Sequence, residues 1–219
     1  MLIVVCNLRD RQTMQLTENQ NKAIDEIIEM VVSVIGNGSR EIDTADAISS
    51  TARLAGSFLF RSFGFKINDA KPGTVMLSEE ANTKGIQLIN ITYAALQNFG
   101  IRIDNNKMNN GNQKQPTNNF IDVIEKVQSP AQEIMKINDL SYEQMAQSAA
   151  IATAFIIQQS TNITPEEGLG TAIYSYIEGT KTYPPEFSSE SEKAAIAKNT
   201  TSVNAKSKNI SKPWWKFWN

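Results

Sequence analysis

Apolar residues recur three and four positions apart along much of the chain, which is the spacing of one face of an α-helix. The first such run is Ile24, Ile27, Ile28, Val31 and Ile35. Thr17 and Gln20 precede it as a capping box, in which a hydroxyl and an amide three residues later satisfy free N–H groups. The pattern therefore predicts a helix that begins after Thr17 and ends at the Gly-Asn-Gly sequence of residues 36–38.

Four more helices are predicted from N-capping residues followed by an apolar face. The capping residues are Asp43, Ser78, Ser141 and Thr164. The expected buried face of the second helix is Ile48, Thr51, Ala52, Ala55, Leu59 and Phe63, and that of the third is Ile86, Ile89, Tyr93, Leu96 and Phe99. Gly64 and Gly100 are expected to end these two helices because glycine tolerates positive φ.

The phenylalanines between positions 58 and 65 are too dense for one narrow face. They favour a helix that is buried on several sides over an aromatic cofactor box. Ala52 and Gly56, four positions apart, are small enough to let another helix approach closely.

A shorter apolar face begins at Phe120 and includes Ile124 and Val127. Pro130 follows it, and proline is favoured in the first turn of a helix but removes a hydrogen bond from a helix interior. The pattern predicts a break at Ser129 and a second helix in which Ile134 and Ile137 point inward.

The short apolar run Val75–Leu77 and the alternating residues Ile101–Asp104 have the pattern of short strands, and they would form a small two-stranded ribbon if they paired. The fold class predicted from the sequence is mainly α, a single helical domain of about six or seven helices. Segments this short leave open whether the two-stranded ribbon forms.

Composition changes twice along the chain. Residues 104–119 contain seven asparagines, Gly111 and Pro116, which predicts a solvated loop and the natural subdomain boundary if there are two subdomains. After the helical domain of residues 1–185, residues 186–211 are rich in Ser, Thr, Asn, Lys and Ala. That composition predicts a flexible linker, which leaves residues 212–219 as a tail peptide.

The absence of histidine and the presence of one cysteine, Cys6, exclude most familiar catalytic constellations. A Ser-His-Asp triad, a Cys-His pair and a zinc site all need residues that the chain lacks. We therefore expect no cofactor and no metal site, and these missing residue types argue against an enzymatic function. Carboxylate chemistry stays open, and its candidates, all at predicted helix starts, are Asp43, Asp46, Glu79, Glu80, Glu166 and Glu167.

The first six residues are apolar but lack the charged region and the length of a signal peptide. They are expected to form a short strand or a packed terminus. Since the longest apolar run also falls short of the roughly 20 residues of a membrane span, the expected location is cytoplasmic, with peripheral binding at the inner face of a membrane as an extension.

Charge is divided unevenly between the body and the C-terminal segment. Residues 193–219 contain six lysines and no acidic residue, which leaves 15 basic and all 23 acidic residues in the first 192 positions. All three tryptophans lie in the same segment, and the interaction residues predicted there are Lys212, Trp214, Trp215, Lys216, Phe217 and Trp218.

Such a segment has three plausible modes of action. Tryptophans can anchor it in a groove of a protein partner, indoles and lysines can hold it at a membrane interface, or it can dock on its own acidic body. Nucleic acid is not an expected partner because the segment has few charges and the body is acidic.

The function predicted from the sequence is a non-catalytic interaction or adaptor protein. The alternative is a small helical domain that binds a ligand between its helices, with carboxylate-based chemistry as a further option. A pocket lined by inward carboxylates would favour this alternative, whereas a filled core with an exposed apolar groove would favour the adaptor.

Overall fold

The computed structural model describes residues 4–6, 13–36, 42–65, 69–108 and 116–187. Its helices are α1 (Glu18–Ile35), α2 (Thr44–Ser62), α3 (Glu79–Asn98), α4 (Asn105–Met108), α5 (Phe120–Ile137), α6 (Tyr142–Gln159) and α7 (Pro165–Lys181). Strands β1 (Val4–Cys6) and β2 (Thr13–Gln15) pair antiparallel, with Val5 opposite Met14. Residues up to Glu186 form one compact unit, and the prediction of a mainly α single domain is confirmed.

The capping signals of the sequence are confirmed at the helix starts. Thr17, Ser141 and Thr164 each form a reciprocal capping box with the residue three positions later. Asp43 accepts a hydrogen bond from the N–H of Ala45 at 2.9 Å, and Ser78 accepts one from the N–H of Ala81 at 3.0 Å. Local sequence is sufficient to place these starts because each cap satisfies N–H groups within its own first turn.

Helix α2 lies at the centre of the fold. Every residue from Ala45 to Phe60 is buried, and α1, α3, α5, α6 and α7 all pack against this helix. The interpretation of the dense aromatic stretch as a helix buried on several sides is therefore confirmed. The ring of Phe60 lies 5.6 Å from that of Phe65 and 6.1 Å from that of Tyr183, so these aromatic side chains pack against one another.

Helices α2 and α7 are in backbone contact where Gly56 meets Gly179. A Cβ placed on Gly179 would lie 2.6 Å from the carbonyl oxygen of Arg53 and 2.9 Å from the Cα of Gly56. Both positions must lack a side chain because each one faces backbone atoms of the other helix. The close helix approach expected at Gly56 is thus confirmed.

The buried face of α3 differs from the predicted one. Ile86 is 56% exposed, and Ile89, Tyr93 and Phe99 are only half-buried. The face that enters the core contains Gly85, Leu88, Thr92 and Leu96. This face includes a glycine and a threonine beside its leucines because α3 packs closely against α6 and α7, where a side chain at position 85 would meet Thr180.

The predicted break at Ser129 is wrong, because α5 continues through Pro130 as one helix. Val127 and Ala131 are both buried, so the helix keeps its contact with the core on either side of the proline. Tertiary packing here outweighs the loss of one backbone hydrogen bond. The inward orientation predicted for Ile137 is also wrong, since this side chain is 76% exposed.

The ribbon predicted between Val75–Leu77 and Ile101–Asp104 does not form. Val75 instead makes an antiparallel bridge with Thr182, directly after α7. The sequence indicates an extended run at Val75. Its pairing partner, Thr182, is more than a hundred residues away and is available only because the end of α7 lies beside this run.

The asparagine-rich stretch contains the one-turn helix α4, where a loop was expected. Helices before this stretch pack on helices after it, most extensively α2 on α6 and α7. The stretch therefore joins parts of the same compact unit.

Among the helices that the structure describes, none is both long enough and apolar enough to cross a membrane.

Candidate functional site

An apolar groove opens between the segment before α3, the start of α5 and the end of α7. Its volume is about 480 Å³. The apolar side chains that line it are Val75, Phe120, Ile121 and Ile177, and the polar residues around them include Asn119, Glu178 and Lys181. Among the described residues, this groove has the character of a site for an external apolar group.

The wall that carries Val75 is built by backbone pairing. The N–H of Gly73 donates to the carbonyl of Tyr183 at 2.9 Å, and the N–H of Tyr183 donates to the carbonyl of Thr74 at 2.8 Å. The N–H of Met76 donates to the carbonyl of Lys181 at 2.6 Å. Gly73 has a φ of +90°, which lets the chain turn after Pro72 and run back along the end of α7.

Large apolar side chains around the groove remain in contact with solvent. Val75 is 65% exposed, Leu77 81% and Ile177 44%. Ile177 follows the buried Tyr176, so the apolar pattern of α7 extends beyond the face that enters the core. The body thus has a cluster of exposed apolar groups at one place, as interaction surfaces do.

An ion pair between the buried Arg53 and the partly exposed Glu178 fixes the opposite wall. The guanidinium of Arg53 lies 2.6 Å from the carboxylate of Glu178 and donates to the carbonyl of Asn118 at 2.7 Å. Only 7% of the Arg53 side chain is exposed. Because Asn118 immediately precedes α5, this arginine links the end of α7 to the start of α5 on either side of the groove.

Asp46 reinforces the same connection from α2. Its carboxylate accepts hydrogen bonds from the N–H of Thr117 at 2.8 Å and from the Thr117 hydroxyl at 2.6 Å. The start of α5 is therefore held by charged groups of α2, and the groove is a preformed feature of the fold.

The carboxylates considered for catalysis do not converge on a pocket. Asp43 caps α2, Glu167 completes the capping box of α7, and Glu166 accepts a hydrogen bond from the N–H of Asp104 at 3.0 Å. Glu79 and Glu80 are exposed in the first turn of α3, where acids complement the helix dipole. Asp43 and Glu167 thus accept from backbone N–H groups of their own helix starts, and Glu166 accepts from one in another segment.

A fully buried hydroxyl cluster lies in the core at Tyr176. The Tyr176 hydroxyl lies 2.6 Å from that of Thr92, which in turn lies 3.1 Å from the carbonyl of Ala150. Burial raises the pKa of Tyr176. This cluster links α3, α6 and α7, and its complete burial keeps it away from any substrate.

Acidic and thiol side chains do not form a metal site in the described part of the chain, where no three of them cluster at ligand distance.

The interaction residues predicted from the sequence lie outside the residues that the structure describes. They are Lys212, Trp214, Trp215, Lys216, Phe217 and Trp218. Sequence reasoning did not find the groove, because Ile177 lies at helical spacing from Ile173 and so has the pattern of a core residue. The available signal was the apolar run from Val75 to Leu77, which lies between a Pro-Gly turn and a helix cap. Large apolar residues are unusual in a solvated loop, so this run could have indicated an exposed apolar surface.

Comparisons with protein-family models, curated proteins and solved structures return no match to this chain.

Proposed function

We propose that this chain is a non-catalytic interaction or adaptor protein whose C-terminal Trp/Lys segment docks on a partner protein or on a membrane surface. The observation that carries the proposal is the clustering of all three tryptophans with lysines in residues 212–219 of an otherwise acidic chain. Tryptophan anchors supply large binding energies at interfaces, and lysines speed association with acidic surfaces.

The helical body supports an interaction role over ligand chemistry. Its carboxylates Asp46, Glu166 and Glu178 are engaged with backbone N–H groups or with Arg53. The groove described above is lined mainly by aliphatic and aromatic side chains, and the carboxylate at its edge, Glu178, is paired with Arg53. An exposed apolar groove beside a filled core is the arrangement expected of a protein that binds other molecules through its surface.

Two full-length variants separate the contributions of the aromatic and the charged residues. The first replaces Trp214, Trp215 and Trp218 with alanine, and the second replaces the six lysines of residues 193–219 with glutamine. Pull-down of partners and co-sedimentation with vesicles that contain phosphatidylserine are measured for both.

If the segment docks in a groove of a partner protein, the tryptophan variant loses the pull-down. The lysine variant then mainly lowers the association rate, with a modest salt dependence. If the segment docks on a membrane, both variants lose vesicle binding, and binding of the unmodified chain falls steeply as salt rises. Unchanged binding of the tryptophan variant in both assays would refute the proposal.

A further inference from the structure

The segment from Thr74 to Leu77 has one paired edge and one open edge. Its hydrogen bonds to Lys181 and Tyr183 use the carbonyl of Thr74 and the N–H of Met76. In an antiparallel pair the residue between two such positions directs its own N–H and C=O to the other side. Val75 is that residue, and among the described residues nothing hydrogen-bonds to its backbone N–H or C=O.

The open edge lies beside apolar side chains. Val75 lines the groove together with Ile121 and Ile177, and it is 65% exposed. A further strand that paired with Val75 would direct alternate side chains to the face on which Val75 lies. Those side chains would cover Ile121 and Ile177, whereas a peptide lacking apolar residues at alternate positions would leave them in water.

Exposed charges around this edge are mainly acidic. Glu79 and Glu80 follow Leu77 by two and three positions, and Asp122 follows Ile121; all three acids are exposed. The basic residues here are fewer: the half-buried Lys181 lines the groove, and the exposed Lys71 lies four positions before Val75. Basic residues in a bound peptide therefore complement the rim of the groove.

We infer that the Val75 edge and the adjacent groove bind an extended peptide of a partner protein by strand addition, and that this peptide carries alternate apolar residues with basic residues between them. Backbone hydrogen bonds to Val75 provide affinity, and the apolar groove selects the alternate side chains. The inference involves none of the tail residues on which the proposed function rests, so either proposal can fail without the other.

The test uses the full chain and a fluorescent heptapeptide with valine at alternate positions and lysine between them. Binding is followed by fluorescence anisotropy. Val75→Pro removes the outward N–H and keeps the hydrogen bonds of Thr74 and Met76, so we expect binding about five to ten times weaker. Ile177→Ser removes an apolar wall of the groove, and we expect a similar loss.

Two controls identify the binding mode. Ile137→Ser removes an equally large exposed side chain from a position outside the groove and should leave affinity unchanged. A heptapeptide N-methylated at alternate positions keeps its side chains but loses the backbone donors, and should bind at least about fivefold more weakly.

Several results would overturn the inference. One is the absence of binding to the unmodified chain, and another is a peptide affinity of the Val75→Pro and Ile177→Ser variants that equals that of the unmodified chain. An affinity that rises about tenfold when Trp214, Trp215 and Trp218 are replaced by alanine would identify the chain's own tail as the occupant. Concentration-dependent dimerisation that Val75→Pro abolishes would identify a second copy instead.

Discussion

At the scale of single residues, hydroxyl groups determine how the core helices fit together. Thr92 bonds to the carbonyl of Leu88 in its own helix at 3.0 Å and lies 2.6 Å from the Tyr176 hydroxyl. Both side chains are fully buried. Because an unpaired buried hydroxyl costs free energy, these contacts fix the rotation of α3 against α7.

Tyr176 makes stability fall in alkaline solution. Its buried hydroxyl has a raised pKa, so the folded state keeps a proton that the unfolded chain releases above its ordinary pKa of 10.0. The stabilisation is complete below pH 10.0 and is lost as pH rises above it, by up to about 1.4 kcal/mol per pH unit. We expect urea unfolding to show this fall.

Matched tyrosine variants identify the group responsible. Tyr176→Phe should be less stable at neutral pH but should lose less stability between about pH 9.5 and 11, since it has no buried phenol to ionise. Tyr174→Phe changes an exposed side chain in the same helix and should keep the pH dependence of the unmodified chain. Equal pH dependence for both variants would contradict this assignment.

At the scale of helices, the closest contact is the crossing of α2 and α7. Gly56 and Gly179 face each other's backbone atoms, which neither side-chain rotation nor a small shift of one residue can move away. The crossing brings Glu178 within reach of Arg53 and places Ile177 beside the groove. Gly56 and Gly179 thus allow the close packing of α2 on α7 and, through it, the position of Ile177 at the groove.

Gly179→Ala should destabilise the fold by about 1–3 kcal/mol, because the new methyl group would overlap backbone atoms of α2. Chemical denaturation measures the loss. Gly85→Ala provides the control, since its Cβ would meet only the Thr180 side chain at 3.3 Å, and alanine favours a helix by about 1 kcal/mol over glycine. Equal destabilisation by the two substitutions would show that the crossing tolerates a side chain.

At the scale of the whole molecule, the segment after α7 completes the body. Pro184 and Pro185 are buried, and the guanidinium of Arg61 donates to the carbonyl of Pro185 at 2.5 Å. The side-chain amide of Gln128 donates to the carbonyl of Glu186 at 2.9 Å. This segment therefore belongs to the packed unit, although it contains no helix.

Truncation should reveal where the folded unit ends. A chain ending at Phe187 keeps the bonds from Arg61 and Gln128, and we expect its Tm to equal that of the full chain. A chain ending at Thr182 loses them together with the buried prolines, and its Tm should fall by several degrees, at about 2–4 °C per kcal/mol. Calorimetry distinguishes the two. A large fall in Tm for the chain ending at Phe187 would mean that residues 188–219 contribute to the core.

The candidate groove could be predicted only in part. The extended run at Val75 was visible in the sequence, but its pairing with Thr182 was not, because no local rule selects a strand partner so distant along the chain. Ile177 and Ile137 have the apolar spacing of core residues, yet both are exposed. Their exposure depends on where neighbouring helices end, and helical periodicity does not contain that information.

The helical class and the helix starts follow from local sequence alone, since each capping residue bonds within its own first turn; these residues are Thr17, Asp43, Ser78, Ser141 and Thr164. The buried face of α3, the continuation of α5 through Pro130 and the open apolar groove become apparent in the folded chain. These outcomes depend on packing between distant segments, where a glycine, a threonine hydroxyl or a buried arginine can outweigh the pattern of apolar residues.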